Sequence, residues 1–280
     1  MQPDTKEINR IISMSLSEDI GKGDITSKIT VPEDKNTKFV IRAREKMVVC
    51  GIPIAMEVFK TLSNKIELQS RYNDGDIIKQ GDIILQGEGN AIKILEAERV
   101  ALNLLRQMCG TATLTRKFVD LTKGTKAKIL DTRKTIPGLR SIQKYAVTKG
   151  GGYNHRFCLD DAILIKDNHI SVCGSVQNTL NKAKQNRPDS MKIQIECDTI
   201  KQVIEALENG ADIILLDNMD NETLARAVKI TAGKIPLEAS GNVSLKTVRG
   251  IAETGVDFIS VGAITNSPTS VDIGLDMDFD

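Results

Sequence analysis

From Lys126 onward the chain repeats one phrase six times: a short apolar run, then an abrupt polar or charged residue. Residues 127–130 run into Asp131, Thr132, Arg133 and Lys134, and residues 162–165 into Lys166. Residues 193–195 end at Glu196, 213–216 at Asp217, 235–237 lead to Glu238-Ala239-Ser240-Gly241-Asn242, and 258–261 end at Gly262. Near-continuous apolar runs of this length read as strands buried on both faces. Helical stretches separate them. Ile200, Val203, Ile204 and Leu207 form one stripe, opened by a Thr199/Gln202 capping box. Leu245, Val248, Ile251 and Ala252 form another, with Ser244 as N-cap. Strand–helix alternation implies parallel strands joined by crossovers. In a βα barrel the carboxyl ends of the strands share one rim. Arg133, Lys134, Lys166, Glu196, Asp217, Ser240 and Gly262 would then meet there from distant parts of the sequence.

The first hundred residues lack this rhythm. Residues 4–16 carry helical spacing, residues 18–27 are rich in turn residues, and the Gly-Lys-Gly there is no phosphate loop of Walker type. Residues 38–50 and 66–72 read as strands, residues 53–62 as a short helix, and two turn-plus-strand phrases at 73–78 and 80–85 as a β ribbon. The longest helical pattern covers 91–121, with Ile92, Leu95, Leu102, Leu105 and Met108 as its apolar face and a break or kink expected at Gly110-Thr111. Arg99 falls within that face. A buried Arg needs an anion, either Glu96 or Glu98 of the same helix or an external carboxylate or phosphate.

Composition narrows the function classes. Among 280 residues the net charge is +1 and aromatics are 3%, so the basic excess and stacking aromatics of a nucleic-acid binder are both missing. The five cysteines are odd in number and form no C-x-x-C pair, which reads as reduced cytoplasmic thiols without zinc. No apolar run approaches the ~20 residues of a membrane span, and the N-terminus has no long apolar core of a secretory signal.

The segment from Asp131 to His169 concentrates the rest of the chemistry. It holds both histidines, His155 and His169, with Arg133, Lys134, Arg156 and Lys166 around Gly150-Gly151-Gly152. Cations beside glycines suit an anion meeting bare backbone. Four cations suit a ligand with several negative charges, since Arg pairs with planar carboxylates and Lys acts as a point charge. Ser240-Gly241-Asn242 and Ser260-Val261-Gly262 can present backbone N–H groups to a phosphate, as the last two loops of barrels often do. Glu196 and Asp217 call for Mg²⁺, ribose hydroxyls or a developing carbocation. Lys166 is open to two readings, an anion ligand or a Schiff-base lysine.

These phrases together (DTRKTIPGLR, KGGGYNHR, LIKDNHI, IECDT, LLDNM, EASGN and SVGAIT) resemble the quinolinate phosphoribosyltransferases, the carboxylating nicotinate-nucleotide diphosphorylases. ERVALNLL and EDIGKGDITS also fit, so the likeness spans nearly the whole chain. It implies an N-terminal α/β sandwich over 1–112, joined by the tail 268–280, and an incomplete α/β barrel of parallel strands over 113–267. It implies transfer of phosphoribosyl from phosphoribosyl pyrophosphate to quinolinate, with loss of CO2 and pyrophosphate, giving nicotinate mononucleotide for NAD synthesis. Mg²⁺ would be the cofactor. Arg99, Arg133, His155, Arg156 and Lys166 would hold the quinolinate carboxylates, with Thr132 beside them, and Lys134 would face the pyrophosphate. Glu196 and Asp217 would bind the ribose hydroxyls and the metal–diphosphate group; Ser240, Gly241 and Gly262 would cradle phosphate. Lys134, Lys166, Glu196 and Asp217 would form the catalytic set. The resemblance also implies a homodimer or higher homo-oligomer in which Arg99 enters the neighbour's site.

Overall fold

The computed structural model describes residues 3–188 and 191–278. The chain divides into two compact units, one of Met1–Arg116, Thr135–Gly151 and Thr265–Asp280, the other of Lys117–Lys134 and Gly152–Ile264. Residues 135–151 thus group with the first unit, although in sequence they lie inside the range expected for the barrel.

The first unit is built on a four-stranded antiparallel sheet, ordered Ile273–Asp278, Asn36–Ala43, Ile83–Asn90, Glu67–Gln69. The Asn36–Ala43 strand alternates, with Phe39, Ile41 and Ala43 buried between partly exposed neighbours, which is the period of a half-buried strand. Phe39 stacks on Phe59 of the helix Ile52–Leu62 at 4.9 Å between ring centroids. Ile11, Ile12 and Leu16 of the helix Thr5–Ile20 join the same core. Each such fully buried aliphatic or aromatic side chain contributes roughly 1.5–3 kcal/mol. The turn-rich stretch after that helix contains a short helix as well. Gly21 and Gly23 turn the chain at positive φ, and Asp24 then caps Ile25–Thr30 through the Ser27 N–H.

Two expectations about the long helix fail. It runs unbroken from Ala91 to Leu121. Gly110 does not end it; a Cβ there would collide with the Thr269 carbonyl oxygen, so this glycine lets the C-terminal segment lie against the helix. Of the expected face, Ile92, Leu102, Leu105 and Met108 are buried, and Ile94, Ala97, Ala101 and Ala112 are buried with them. Leu95 is only partly buried, and Arg99 is exposed rather than inside the face. Glu96 is instead paired with Lys93 at 2.7 Å.

The second unit holds six strands, all paired in parallel, in the order Lys128–Leu130, Phe258–Ser260, Leu237–Ser240, Ile213–Asp217, Ile193–Cys197, Ile163–Ile165. The first strand in the sequence lies beside the last, as in a barrel, and the order stays open between Lys128–Leu130 and Ile163–Ile165. Helices occupy the crossovers. Thr199 and Gln202 form the expected capping box for Ile200–Glu208, while Ser175 and Asp220 cap Val176–Asn186 and Asn221–Thr231. Ser244 is not an N-cap. Its carbonyl closes a turn with the N–H groups of Thr247 and Val248, and the helix proper is Val248–Glu253. Among the described residues no helix is long and apolar enough to cross a membrane.

Candidate active site

Residues from the carboxyl ends of all six parallel strands line one cavity of about 400 Å³ in the second unit. The sheet therefore curls around it. Thr132, Arg133 and Lys134 follow the first strand, Lys166 the second in sequence, and Glu196, Asp217, Ser240 and Ser260 close the other four. Leu164 and Leu215 supply an apolar wall.

His155 and Arg156 reach the cavity through a short parallel bridge. Tyr153 pairs with the free side of Lys128–Leu130, donating to Ile129 and accepting from Asp131 through main-chain bonds of 2.8 and 3.1 Å. The buried Asp131 carboxylate then accepts from the His155 N–H at 2.9 Å. The glycine tract upstream has a packing role rather than an anion-binding one at Gly150, where a Cβ would strike Ala112 and Thr115. His169 also turns out structural: its Nδ1 accepts the Lys166 N–H at 2.9 Å and shapes the turn into Asp167–Cys173.

The cavity carries charges of both signs. Arg133, Lys134, Arg156 and Lys166 bring positive charge to it. The Arg156 Nη1 donates to the Ala162 carbonyl at 3.2 Å. Its affinity for a proton is lowered by burial and by the neighbouring Arg133, against a smaller opposite effect of Asp161. Two close guanidiniums repel each other unless an anion lies between them. Of the carboxylates, Glu196 is almost fully buried and Asp217 ends the next strand. Lys166 Nζ meets Glu196 Oε2 at 2.5 Å, pairing a cation of the cavity with one of its acids. Nearby Asp198 has its carboxyl pushed up by burial and by repulsion from Asp217 and Asp167, with Lys166 opposing.

Around Asp217 the chain is held in an unusual conformation. Asn218 and Asn242 both have φ near +51°, a left-handed state asparagine tolerates better than most residues. Asn218 donates to Asp217 at 2.5 Å and accepts from Asn242 at 3.1 Å. Gly241, at φ +92°, lies so close that a Cβ would be 2.8 Å from the Asn218 main-chain nitrogen. Gly241 and Asn242 line a neighbouring depression with Asn218, Asp220 and Lys246, not the cavity itself. Gly262 leaves room for Lys134, whose Cδ would be 3.3 Å from a Cβ at that position. Val261 does not offer an open N–H to a phosphate. It is buried, and its N–H donates to the Leu130 carbonyl in the parallel ladder. Arg99 belongs to the first unit.

Both parts of the chain match one family. The N-terminal domain of quinolinate phosphoribosyl transferase matches residues 24–109, and its C-terminal domain residues 111–276. The chain belongs to the quinolinate phosphoribosyltransferase family. A probable nicotinate-nucleotide pyrophosphorylase [carboxylating] of Bacillus subtilis is 39% identical over 97% of this chain and 93% of its own. One of the same description from Methanocaldococcus jannaschii is 42% identical over 96% of each. The crystal structure of a nicotinate-nucleotide pyrophosphorylase from Ehrlichia chaffeensis superimposes with a TM-score of 0.94 at 46% identity, covering 99% of this chain and 100% of that one. The antiparallel first sheet and parallel second sheet are those of the quinolinate phosphoribosyltransferase fold.

Sequence reasoning missed Glu238, which lines the cavity from inside its strand. The signal was present. Glu238 and Ser240 are two apart on one strand, as are Gln194 and Glu196 on the next, and such residues share a face. Among the described residues no three His, Cys, Asp or Glu side chains are grouped to hold a metal ion.

Proposed function

We propose that this protein transfers phosphoribosyl from phosphoribosyl pyrophosphate to the ring nitrogen of quinolinate, releasing pyrophosphate and CO2 and forming nicotinate mononucleotide. The observation that carries the reading is the single cavity lined by Arg133, His155, Arg156 and Lys166 together with Glu196 and Asp217. Quinolinate brings two carboxylates for the cations, and a ribosyl group brings hydroxyls and developing positive charge for the acids. Family membership and relatives named for this reaction support it.

In this reading the guanidiniums of Arg133 and Arg156 fix the two ring carboxylates in the plane of the ring, and Thr132 and His155 add hydrogen bonds. That aims the ring nitrogen at the anomeric carbon. Glu196 and Asp217 hold the ribose hydroxyls and stabilise the charge that builds there as pyrophosphate leaves. Lys134 neutralises the departing group, and Ser240, Gly241, Asn242, Ser260 and Gly262 border the phosphate. Val261 contributes shape. Once ribosylated, the ring nitrogen is cationic and stabilises the electron pair left on C2 as CO2 departs, and a proton from water then takes the place of the carboxylate, so this step needs no separate base. Two carboxylates fit Mg²⁺, which keeps several waters and takes substrate phosphate oxygens rather than a full protein cage. Glu196 and Asp217 would hold the ion, which would offset charge on the diphosphate.

The protein acts as a cytoplasmic homodimer, with exposed Arg99 completing the neighbour's quinolinate site. An Arg set outward on a helix suits that role better than an internal ion pair. A Schiff-base reaction at Lys166 is disfavoured, because that amine is engaged by Glu196 rather than set in an apolar pocket. Incubation with quinolinate, phosphoribosyl pyrophosphate and Mg²⁺ is expected to release pyrophosphate and CO2 in equal amounts. Pyrophosphate without CO2 would defeat the quinolinate assignment.

A further inference from the structure

Glu238 is a carboxylate buried to 2% exposure in the wall of the cavity. An isolated charge in such a place is costly unless hydrogen bonds compensate it. Three donors meet it. Gln194 Nε2 donates to Oε2 at 2.8 Å, Ser260 Oγ donates to Oε1, and His155 Nε2 lies 3.4 Å from Oε2. Burial would raise the Glu238 carboxyl, but the His155, Ser260 and Gln194 bonds outweigh it and hold it below its ordinary value. The other ring nitrogen of His155 is also committed. Its Nδ1 accepts the Arg156 main-chain N–H at 2.7 Å. A nitrogen that accepts has no proton, so the proton of the neutral ring must sit on Nε2, facing Glu238. The Asp131 carboxylate pins the His155 main chain at the same time.

We infer that Glu238 is a positioning residue for the reaction: it holds the His155 ring in place with the proton on Nε2, so that the imidazole meets a substrate carboxylate only as a hydrogen-bond donor. A buried charge is weak evidence for stability alone, because an apolar residue often serves that end as well. At 3.4 Å the contact with Glu238 is long, so with the ring held in place the Nε2–H can be shared with a ligand oxygen, as contacts in unliganded sites often are before they tighten. The effect is selectivity for an anionic acceptor at that point of the ring. A ligand donating a hydrogen bond there would find no lone pair on His155. This inference rests on the quinolinate reading for its chemistry, while its structural half stands apart from it.

The test has two arms. The chain has two histidines, so nitrogen NMR of protein labelled with ¹⁵N-histidine contains two ring systems, and a His169→Gln variant assigns them. Wild type is expected to show His155 protonated at Nε2. In Glu238→Gln a population protonated at Nδ1 is expected to appear. The KM for quinolinate should rise roughly ten- to a hundredfold, the range for losing a hydrogen bond to a charged group, while the KM for phosphoribosyl pyrophosphate stays unchanged. Glu238→Asp, which keeps the charge but withdraws it, should fall between, and it serves as the test variant if Glu238→Gln does not fold. Wild-type His155 protonated at Nδ1 would overturn the inference. So would a folded Glu238→Gln whose His155 signals and quinolinate KM match wild type, or one in which both KM values rise together. Failure of wild type to turn over quinolinate at all would instead overturn the functional reading, with the NMR arm still deciding what Glu238 does to His155.

Discussion

Replacing Glu196 by Gln removes one negative charge and almost no volume. Glu196 is 8% exposed and its carboxylate sits 2.5 Å from Lys166 Nζ. Two effects follow, of different size. Removing one partner of a buried pair costs about 3–5 kcal/mol, but the Lys166 side chain is 46% exposed and water can take up its charge. The stability loss is therefore reduced to about 1 kcal/mol, or a fall in Tm of about 2–4 °C. The catalytic effect is larger. A fixed group aimed at charge that develops in the transition state is worth roughly 10²–10³ in kcat. Steady-state kinetics with both substrates, alongside thermal unfolding, would separate the two. The expected result is a kcat lower by roughly 10²–10³ with the protein still folded at the assay temperature. A Glu196→Gln enzyme with kcat within a factor of about three of wild type would refute the role given to this carboxylate.

Three further outcomes are expected. Gly241→Ala forces a side chain onto φ +92° and against the Asn218 main chain; it should destabilise the protein by about 1–3 kcal/mol and raise the KM for phosphoribosyl pyrophosphate more than that for quinolinate. Arg99→Ala should be inactive alone, yet after co-refolding with Glu196→Gln should recover about a quarter of wild-type activity, since half of the dimers are mixed and each has one intact site; no recovery would remove the cross-subunit role of Arg99. Because the Glu238 carboxyl is held below its ordinary value of 4.5, the stability it contributes is fully present above pH 4.5 and fades as pH falls through its folded value. The stability gap between wild type and Glu238→Gln, followed by urea unfolding, should narrow below that pH; a gap that stays constant with pH would show that the carboxylate is not the cause.

The second sheet was legible because its strands are buried on both faces. Such strands appear as unbroken apolar runs, and each polar residue that ends one marks a strand's carboxyl end. The same rule brought Lys166, Glu196, Asp217 and Ser240 to one cavity. Glu238 follows the run 235–237 just as directly but was passed over for Ser240, with which it shares a strand face at the two-residue period. The helix Ala91–Leu121 misled for a different reason. Its large apolar residues Ile92, Leu102, Leu105 and Met108 are buried as their spacing indicates, but Leu95 is only partly buried while Ala97 and Ala101 are fully so, and placing Arg99 between Leu95 and Leu102 therefore set it inward. Gly110 and Gly150 read as a break and an anion loop; both are contacts with distant segments, Thr269 and the Ala112–Thr115 turn of helix, which spacing along the chain does not encode. The Val261 N–H was similarly spent on a sheet partner 131 residues earlier, at Leu130.

A crystal structure with quinolinate bound tests the central claim most directly. The account predicts the ring in the second unit's cavity, its carboxylates against Arg133, Arg156 and Lys166, the His155 Nε2 within hydrogen-bond reach, and the ring nitrogen facing the side of Glu196 and Asp217. Quinolinate bound with its carboxylates away from Arg133 and Arg156, or outside this cavity, would contradict it.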